Sequence, residues 1–489
     1  MPYAIFDGLE PKEFFTWFGA VTEIPRPSGE EARLAAFLEQ FAAERGLSCE
    51  KDTGGNVFMT VPASEGYENE PKVLFQAHMD IIPAKDPGVE FDFSTQPIRL
   101  RRDGDFIRGC GTNLGTDNGV GLATMLALAD SKTIPHPPLE LLFTTREEVG
   151  LQGVREFDMS KITARRMVNM DSGGSRTVAV CSCGKVGGIV EQELALEPLK
   201  GNEAGLLLRL SGGAGGHPGL QAGKERLCAV NALGELLSAM KDVSWHFVSA
   251  QSIGNAIFKG AEAILAVPRD AEESVCTRLE GAFAVLARIY KDSEPDIRLE
   301  LSSAPLPERA VSEDASKRLA QVLRILRTGK YRTDPNDPGL VLTSAAFTLL
   351  RLEGSSLVFK WQTRSFSDDD QMAVFERMAT VAEAFGFELK IADSYSGWKE
   401  NPHSPFREKL LRVYRSLYGE EMLIERVQGG IEVGPIVGAI PDMDPIGMMP
   451  SCGGAHTTGE KLQLLKLPIY WKTMLALMAE KDEKRENLE

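Results

Sequence analysis

Short apolar runs alternate with stretches of helical periodicity through the first 170 residues. This alternation constrains the fold more than any other pattern in the sequence. The runs KVLFQ at 72–76, LELLFTT at 139–145 and MVNM at 167–170 predict strands, and residues 118–128 predict a helix. Strands separated by helices pair in parallel, because each helix brings the chain back to the end of the sheet at which the previous strand began. The sequence therefore predicts an α/β sheet with mainly parallel strands.

A turn signal precedes the first amphipathic segment. Pro25-Arg26-Pro27 interrupts the chain, and Ser28 stands three residues before Glu31, which is the spacing of a capping box. Apolar residues at helical spacing follow at positions 34, 37, 38 and 41. We therefore expect a helix whose N-terminus is capped by Ser28.

The middle of the chain has a different pattern, in which strands outnumber helices. From about Leu206 it predicts a strand, a glycine-rich loop, a helix at about 226–240, two strands, a helix at about 271–290 and another strand. A similar order follows from about 314 to 392. Two β-α-β-β-α-like units of this kind make compact sandwiches of sheet and helix.

The first pattern returns after Trp398, so the α/β domain is interrupted by a second domain. We place the first part of the α/β domain at 1–185, an inserted α+β domain at 186–395, and the second part of the α/β domain at 396–489.

Composition excludes several classes of protein and partner. The 489 residues include 54 Lys and Arg against 70 Asp and Glu, which gives a net charge of −16. Such an acidic chain is unsuited to nucleic acid or anionic membranes, and no apolar run approaches the ~20 residues of a membrane helix. Seven scattered cysteines make no disulfide framework. We therefore expect a cytoplasmic protein with reduced thiols and with neither a nucleic-acid nor a membrane partner.

Acidic and imidazole side chains stand where the predicted strands end. In open α/β sheets, ligands bind beyond the carboxyl ends of the strands, so these side chains should converge on one edge. They are His78, Asp80, Glu147, Glu148 and Asp171, together with Asp117 before a helix and His456 after a strand predicted near 443–449. Each alone could be an ordinary exposed residue or a helix cap. It is improbable that all seven stand at the ends of predicted elements by chance.

Two imidazoles and three carboxylates are the donors that a pair of divalent metal ions needs when one carboxylate bridges them. Mixed nitrogen and oxygen donors suit zinc. Asp80 follows His78 by two residues and can orient its imidazole. Adjacent side chains in an extended segment point in different directions, so one of Glu147 and Glu148 can bind metal while the other stays free as a general base.

Five motifs jointly resemble the co-catalytic zinc peptidases of the aminoacylase and carboxypeptidase clan. They are HMD at 78–80, GTDNG at 115–119, EEVG at 147–150, NMD at 169–171 and GAH at 454–456. Within that clan the chain resembles the aminoacyl-histidine dipeptidases, and the similarity runs nearly end to end. The motifs are specific together, whereas a single H-x-D is a weak signal.

The resemblance implies a ligand set. His78 and Asp171 would bind one metal ion, Glu148 and His456 the other, and Asp117 would bridge them. It therefore implies two divalent ions per chain, with Zn²⁺ as the first expectation and Co²⁺ or Mn²⁺ as alternatives.

The resemblance also implies a reaction, the hydrolysis of the peptide bond of dipeptides by a di-zinc-bound water. Asp80 would orient His78, and Glu147 would be the general base. A dipeptidase needs a carboxylate to receive the substrate's ammonium group. Glu432 is a candidate for this role, although it could equally be a helix-start carboxylate.

The inserted domain would match the dimerisation and substrate-closing lid of the family, which implies a homodimer through that domain. Its segment GGHPG at 215–219 resembles a family loop whose histidine, here His217, stabilises the tetrahedral oxyanion. Asn255 and Arg364 resemble lid residues that hold the intermediate and the substrate carboxylate.

The sequence departs from the family pattern in two places. Residues 220–223 read LQAG where relatives usually carry an acidic residue, Ile and His, and Gln428 stands where relatives tend to carry a His. The proposed catalytic set is intact, so these departures bear on specificity. We expect a broad dipeptidase without a strong preference for a C-terminal histidine.

Two other functions stay open at this point. An amidohydrolase that removes an acyl group from an amino acid uses the same metal core and differs in needing no free α-amino group on its substrate. A catalytically silent metal-binding protein has no use for a carboxylate that is not a ligand. The presence of Glu147 beside Glu148 therefore argues against a silent protein.

Overall fold

The computed structural model describes residues 4–216, 224, 226–254 and 257–482. The chain forms two compact units. The first unit consists of Met1–Ser182, Trp398–Val427 and Ile431–Glu489, and the second of Cys183–Gly397 and Gln428–Gly430. The function of the inserted region as a lid or dimerisation domain stays a prediction.

Eleven α-helices lie in the described residues. In chain order they are α1 (Lys12–Thr22), α2 (Ala32–Arg45), α3 (Thr116–Asp130), α4 (Gln152–Glu156), α5 (Ala229–Ser238), α6 (Glu272–Ile289), α7 (Glu313–Ile325), α8 (Asp368–Ala384), α9 (Pro405–Tyr418), α10 (Val433–Ala439) and α11 (Leu467–Ala479). Among these described helices, none combines the length and apolarity that a membrane span requires.

The strands of the described residues are shorter and more numerous. In chain order they are β1 (Ser48–Lys51), β2 (Val57–Val61), β3 (Val73–His78), β4 (Leu100–Asp103), β5 (Phe106–Gly109), β6 (Leu139–Thr144), β7 (Arg166–Asn169), β8 (Thr177–Ser182), β9 (Gly184–Glu193), β10 (Leu196–Pro198), β11 (Glu203–Ser211), β12 (His246–Ile253), β13 (Gly260–Pro268), β14 (Arg298–Ser303), β15 (Arg309–Val311), β16 (Gly329–Thr333), β17 (Val341–Glu353), β18 (Ser356–Ser365), β19 (Lys390–Tyr395), β20 (Leu423–Val427), β21 (Asp444–Gly447), β22 (Cys452–Gly453) and β23 (Lys461–Gln463).

The main sheet of the first unit has eight strands in the order β1-β2-β6-β3-β7-β21-β8-β20. Its centre is parallel, because β6, β3, β7 and β21 run in one direction. Antiparallel pairs join β1, β2 and β8 to it. All residues of β3 and β6 are buried, as parallel strands covered on both faces require. The prediction of a mainly parallel α/β sheet is confirmed.

Helix α3 approaches this sheet so closely that one of its positions requires glycine. A Cβ atom on Gly121 would lie 2.9 Å from Cβ of Ala77 and 2.7 Å from Cβ of Met170. Both separations are shorter than real carbon contacts, so only glycine allows this approach. The close packing places Asp117, in the first turn of α3, beside the ends of β3 and β7.

Capping signals explain several helix ends, but not the start of α2. Helix α9 begins as the sequence favours, with Ser404 Oγ accepting from Arg407 N at 3.0 Å. In contrast, Ser28 does not cap α2, so the predicted capping box is wrong. Glu31 occupies the N-cap position, while Ser28 Oγ donates to Asp80 Oδ2 at 2.7 Å. The Ser28 hydroxyl is thus directed towards a carboxylate that is distant in sequence, and α2 begins three residues later than the capping box predicts.

The second unit contains an antiparallel sheet in which two halves mirror each other. Its order is β14-β11-β13-β12-β17-β18-β9-β19, and β16 also pairs with β17. One half follows the chain order β11-α5-β12-β13-α6-β14, and the other follows β9-α7-β17-β18-α8-β19. The halves join through β12 and β17, and α5 packs against α7. Two units of β-α-β-β-α type are therefore confirmed.

Candidate metal centre

The carboxyl ends of three neighbouring strands carry most of the predicted site. His78 is the last residue of β3, Glu147 and Glu148 follow β6, and Asp171 follows β7. Because these strands are parallel and adjacent in the sheet, their ends lie along one edge. The loop between β22 and β23 brings His456 to the same place.

His78 and two carboxylates form the first group of donors. Nε2 of His78 lies 2.8 Å from Oδ1 of Asp117 and 3.6 Å from Oδ1 of Asp171. The His78 side chain is fully buried. Its other ring nitrogen, Nδ1, lies 3.1 Å from the backbone oxygen of Asp80, so Nε2 is the nitrogen that faces the carboxylates.

His456, Glu148 and the other oxygen of Asp117 form the second group. Nε2 of His456 lies 2.9 Å from Oε1 of Glu148 and 3.1 Å from Oδ2 of Asp117. The two oxygens of Asp117 thus face two different imidazoles. This is the arrangement that a bridging carboxylate requires.

The electrostatics show an excess of negative charge at this edge. Hydrogen bonds with Asp117 and Glu148 raise the pKa of His456 to about 10. Burial works to lower the pKa of His78, yet bonding to Asp117 and Asp171 holds that pKa well above its ordinary value. Burial, with the charge of Asp117, raises the pKa of Asp171 to about 7. These groups hold protons because a positive charge offsets the excess of carboxylates, and a bound cation would offset it in the same way.

The donors present fit divalent metal ions. One donor atom each from His78, Asp117 and Glu148 lies within 4.8 Å of the others. Imidazole nitrogen and carboxylate oxygen are the donors that zinc accepts in mixed sites. All five predicted ligands therefore lie in two groups that share Asp117.

Asp80 fixes the segment that carries both glutamates. Its Oδ1 accepts from Glu147 N at 3.0 Å, and its Oδ2 accepts from Glu148 N at 3.2 Å. Oδ1 also lies 3.4 Å from Nδ1 of His78. Although burial opposes ionisation, bonding to His78 holds the pKa of Asp80 at about 2, so Asp80 stays an acceptor.

Burial and neighbouring carboxylates make the Glu147 carboxylate a stronger base than a free glutamate. Burial raises the pKa of its carboxyl well above the ordinary value, and the nearby charges of Asp171 and Glu148 act in the same direction. A carboxylate with a raised pKa takes a proton more readily. A bound cation would offset part of this shift.

Glu432 is buried beneath the site and is only 1% exposed. Its Oε2 accepts a hydrogen bond from Thr144 Oγ1 at 2.6 Å and another from Gln76 Nε2. Burial raises the pKa of Glu432 to about 8. Its predicted contact with a substrate ammonium group stays a prediction.

The predicted residues of the second unit are placed only in part. His217 and Asn255 lie outside the described residues. Arg364, on β18, donates from Nη1 to the hydroxyl of Tyr395 at 3.4 Å. Its Nε is buried and has no hydrogen-bond partner among the described residues.

Sequence reasoning missed two buried charges at the site. Arg26 donates to the backbone oxygens of Met79 and Gly115, each at 2.7 Å. Glu460 accepts hydrogen bonds from the segment that leads into α3. Both act on backbone groups far away in sequence, so no local spacing signals them. The available signs are weak: Glu460 lies four residues after His456, and Arg26 lies within the Pro25-Arg26-Pro27 turn.

Comparison with known proteins agrees with this geometry. Residues 74–480 match the profile described as "Peptidase family M20/M25/M40". The cytosol non-specific dipeptidase of Escherichia coli (strain K12) is 26% identical over 476 residues, which cover 96% of this chain and 98% of the relative.

Solved structures of dipeptidases are also similar to this chain. The crystal structure of aminoacylhistidine dipeptidase from Vibrio alginolyticus has a TM-score of 0.82 at 26% identity and covers 99% of each chain. Human carnosine dipeptidase 1 has a TM-score of 0.53 at 13% identity over 96% of each chain, which shows a shared fold. The resemblance inferred from the motifs is thus confirmed. Because the matching profile spans most of the sequence, the chain belongs to peptidase family M20/M25/M40.

Proposed function

We propose that the protein is a metal-dependent dipeptidase. The observation that carries the proposal is the position of Asp117, whose two oxygens contact His78 and His456 separately. Membership of the family implies the use of divalent metal. We propose that there are two ions per chain and that both are zinc, with Co²⁺ or Mn²⁺ as substitutes.

The residues divide into two ligand groups with one shared member. His78 and Asp171 would hold one ion, Glu148 and His456 would hold the other, and Asp117 would be shared by both groups. Bound at these positions, the ions supply Lewis acidity and activate a water molecule. The contacts of 2.8 to 3.6 Å between these donors support the grouping.

Glu147 moves the proton in this proposal. It takes a proton from the attacking water and gives it to the nitrogen of the leaving amine, as a general base that then acts as an acid. The raised pKa of its carboxyl supports this function. Asp80 contributes by holding Glu147 N and facing His78 Nδ1, which fixes the base relative to the first ligand group.

The substrate proposed is a dipeptide with a free amine and a free carboxylate. The Escherichia coli and Vibrio relatives, both dipeptidases, support this class. Arg364 would bind the carboxylate, and its buried Nε has no acceptor within the described part of the chain. His217 and Asn255 would stabilise the tetrahedral oxyanion, and Glu432 would receive the ammonium group.

The resemblance and the relatives also bear on the oligomeric state and the location of the protein in the cell. We propose a homodimer formed through the inserted domain at 186–395, as the resemblance implies. We also propose a cytoplasmic location, which the similarity to a cytosol non-specific dipeptidase of Escherichia coli supports.

An N-acyl amino acid amidohydrolase is the competing function, because it needs the same ligands and the same base. The two differ in the substrate's amino group. Purified protein reloaded with zinc should be assayed on a panel of dipeptides and on the matching N-acetyl amino acids. Hydrolysis of the dipeptides alone supports the proposal, whereas hydrolysis of the acetylated set alone supports the amidohydrolase.

A further inference from the structure

A buried carboxylate outside the ligand set holds the segment that carries Asp117. Glu460 is 1% exposed and lies four residues after His456 in the loop between β22 and β23. Its two oxygens accept four hydrogen bonds, all from the consecutive residues 114–117 at the start of α3. The donors are Leu114 N and Gly115 N at 2.7 Å each, Thr116 Oγ1 at 2.5 Å and Asp117 N at 3.1 Å.

The start of α3 needs such a partner from elsewhere in the chain. The first N–H groups of a helix find no acceptor within the helix itself. The N-cap residue is Gly115, which has no side chain to supply an acceptor. Glu460 satisfies these groups across 343 residues of sequence, and its negative charge also suits the positive end of the helix dipole.

Arg26 holds the opposite side of the same turn. It is 2% exposed, and its Nη2 donates to Gly115 O while its Nη1 donates to Met79 O. Met79 directly follows His78. The turn before Asp117 is therefore fixed on its N–H side by Glu460 and on its carbonyl side by Arg26, which also holds the segment after β3.

We propose that Glu460 is a positioning residue that sets the place of Asp117 relative to His456. One loop then performs two functions, since it supplies His456 and also orients the shared carboxylate that His456 faces. The inference rests on the proposed metal site. It predicts that Glu460 controls metal affinity, chiefly that of the group formed by Glu148 and His456.

Glu460→Gln tests the inference with little change in size. Glutamine has one acceptor oxygen, so in either orientation its NH₂ group faces backbone N–H groups that Glu460 now satisfies. Asp117 N or the pair at Leu114 and Gly115 loses its acceptor. We expect zinc affinity to fall by roughly 10–100-fold, the usual effect of removing a partner that orients a ligand. Competition with a chromophoric chelator measures the affinity, and the Co²⁺ absorption spectrum reports the ligand geometry.

Glu140→Gln is the matched control. Glu140 is 2% exposed and likewise accepts from backbone groups, Thr163 N and Ala164 N, at 3.0 Å each. It lies near the start of β6, at the strand end opposite the site. We expect both variants to lower the thermal midpoint of the metal-free protein, and only Glu460→Gln to weaken metal binding and alter the Co²⁺ spectrum.

Two results would overturn the inference: unchanged metal affinity in Glu460→Gln, or an equal loss in both variants. If Glu460→Gln does not fold, Thr116→Val removes one of the four donors and should weaken zinc binding about fivefold. An unchanged affinity in Thr116→Val would then count against the inference. A wild-type protein that binds no zinc would contradict the proposed function itself, whereas tight binding by wild type and Glu460→Gln alike would contradict only the inference.

Discussion

The backbone N–H of Glu147 donates a hydrogen bond of 3.0 Å to Oδ1 of Asp80. The same oxygen lies 3.4 Å from Nδ1 of His78. A single carboxylate thus links the first predicted ligand to the start of the segment that carries the proposed base. Asp80 also accepts from the backbone N–H of Glu148, so it fixes the backbone of both adjacent glutamates.

Exchange of the two glutamates for glutamine should separate their functions. Glu147→Gln keeps size but cannot take a proton, so kcat should fall by the ~10²–10⁴ typical of a lost general base. Its metal content should stay near that of wild type, while Glu148→Gln should lose metal. Steady-state kinetics and metal analysis of both variants test this. Loss of metal from Glu147→Gln alone would mean that the two functions are reversed.

His217→Ala should lower kcat more than it raises KM, because a donor to the oxyanion acts in the transition state. If His217 serves its own chain, a mixture of His217→Ala and Glu147→Gln proteins under subunit exchange should stay inactive. Partial recovery of activity would show that His217 acts across the dimer.

Glu432 should make stability depend on pH. Burial raises its pKa from 4.5 to about 8. Between these values the folded state keeps the proton while the unfolded state loses it, so stability falls as pH rises through this window. Glu432→Gln stays neutral throughout. The Tm of the metal-free variant, relative to metal-free wild type, should therefore increase from about pH 5 to about pH 9. A constant difference would contradict the raised pKa.

Specificity should be broad. Residues 220–223 and Gln428 lack the acidic and imidazole groups that the family pattern carries there. A site discriminates strongly when a wrong substrate leaves its polar groups unpaired, and fewer such groups mean weaker discrimination. Values of kcat/KM for β-Ala-His, Ala-His, Ala-Leu and Ala-Ala should lie within about tenfold, or roughly 1.4 kcal/mol. A larger advantage for the histidine dipeptides would contradict this prediction.

The cluster of proposed ligands could be predicted from sequence, because the ends of strands can be recognised from the apolar runs that precede them. His78, Glu148 and Asp171 each follow a short apolar run, and parallel strands bring such ends together. Asp117 before a predicted helix and His456 after a predicted strand were marked by element ends as well, whereas the division of the five residues into two groups needed the family resemblance. The mirrored order of the second sheet was not predictable in detail, because strand order depends on pairings between distant segments.

The errors and omissions have a common physical cause. Ser28 has the spacing of a helix cap, yet its hydroxyl bonds to Asp80, which is 52 residues away. Glu460 caps α3 from 343 residues away. Local patterns describe only local partners, whereas a buried charge takes the best partner that the whole fold offers. The residues that support the site are therefore harder to predict than the ligands themselves.

Titration of metal-free protein with zinc, followed by the hydrolysis of Ala-Leu, tests the central claim most directly. The account predicts no hydrolysis without metal, and activity that rises and saturates at two zinc ions per chain. Saturation at one ion would remove the shared function of Asp117. Full activity in thoroughly metal-free protein, or none after two zinc ions are bound, would contradict a metal-dependent dipeptidase.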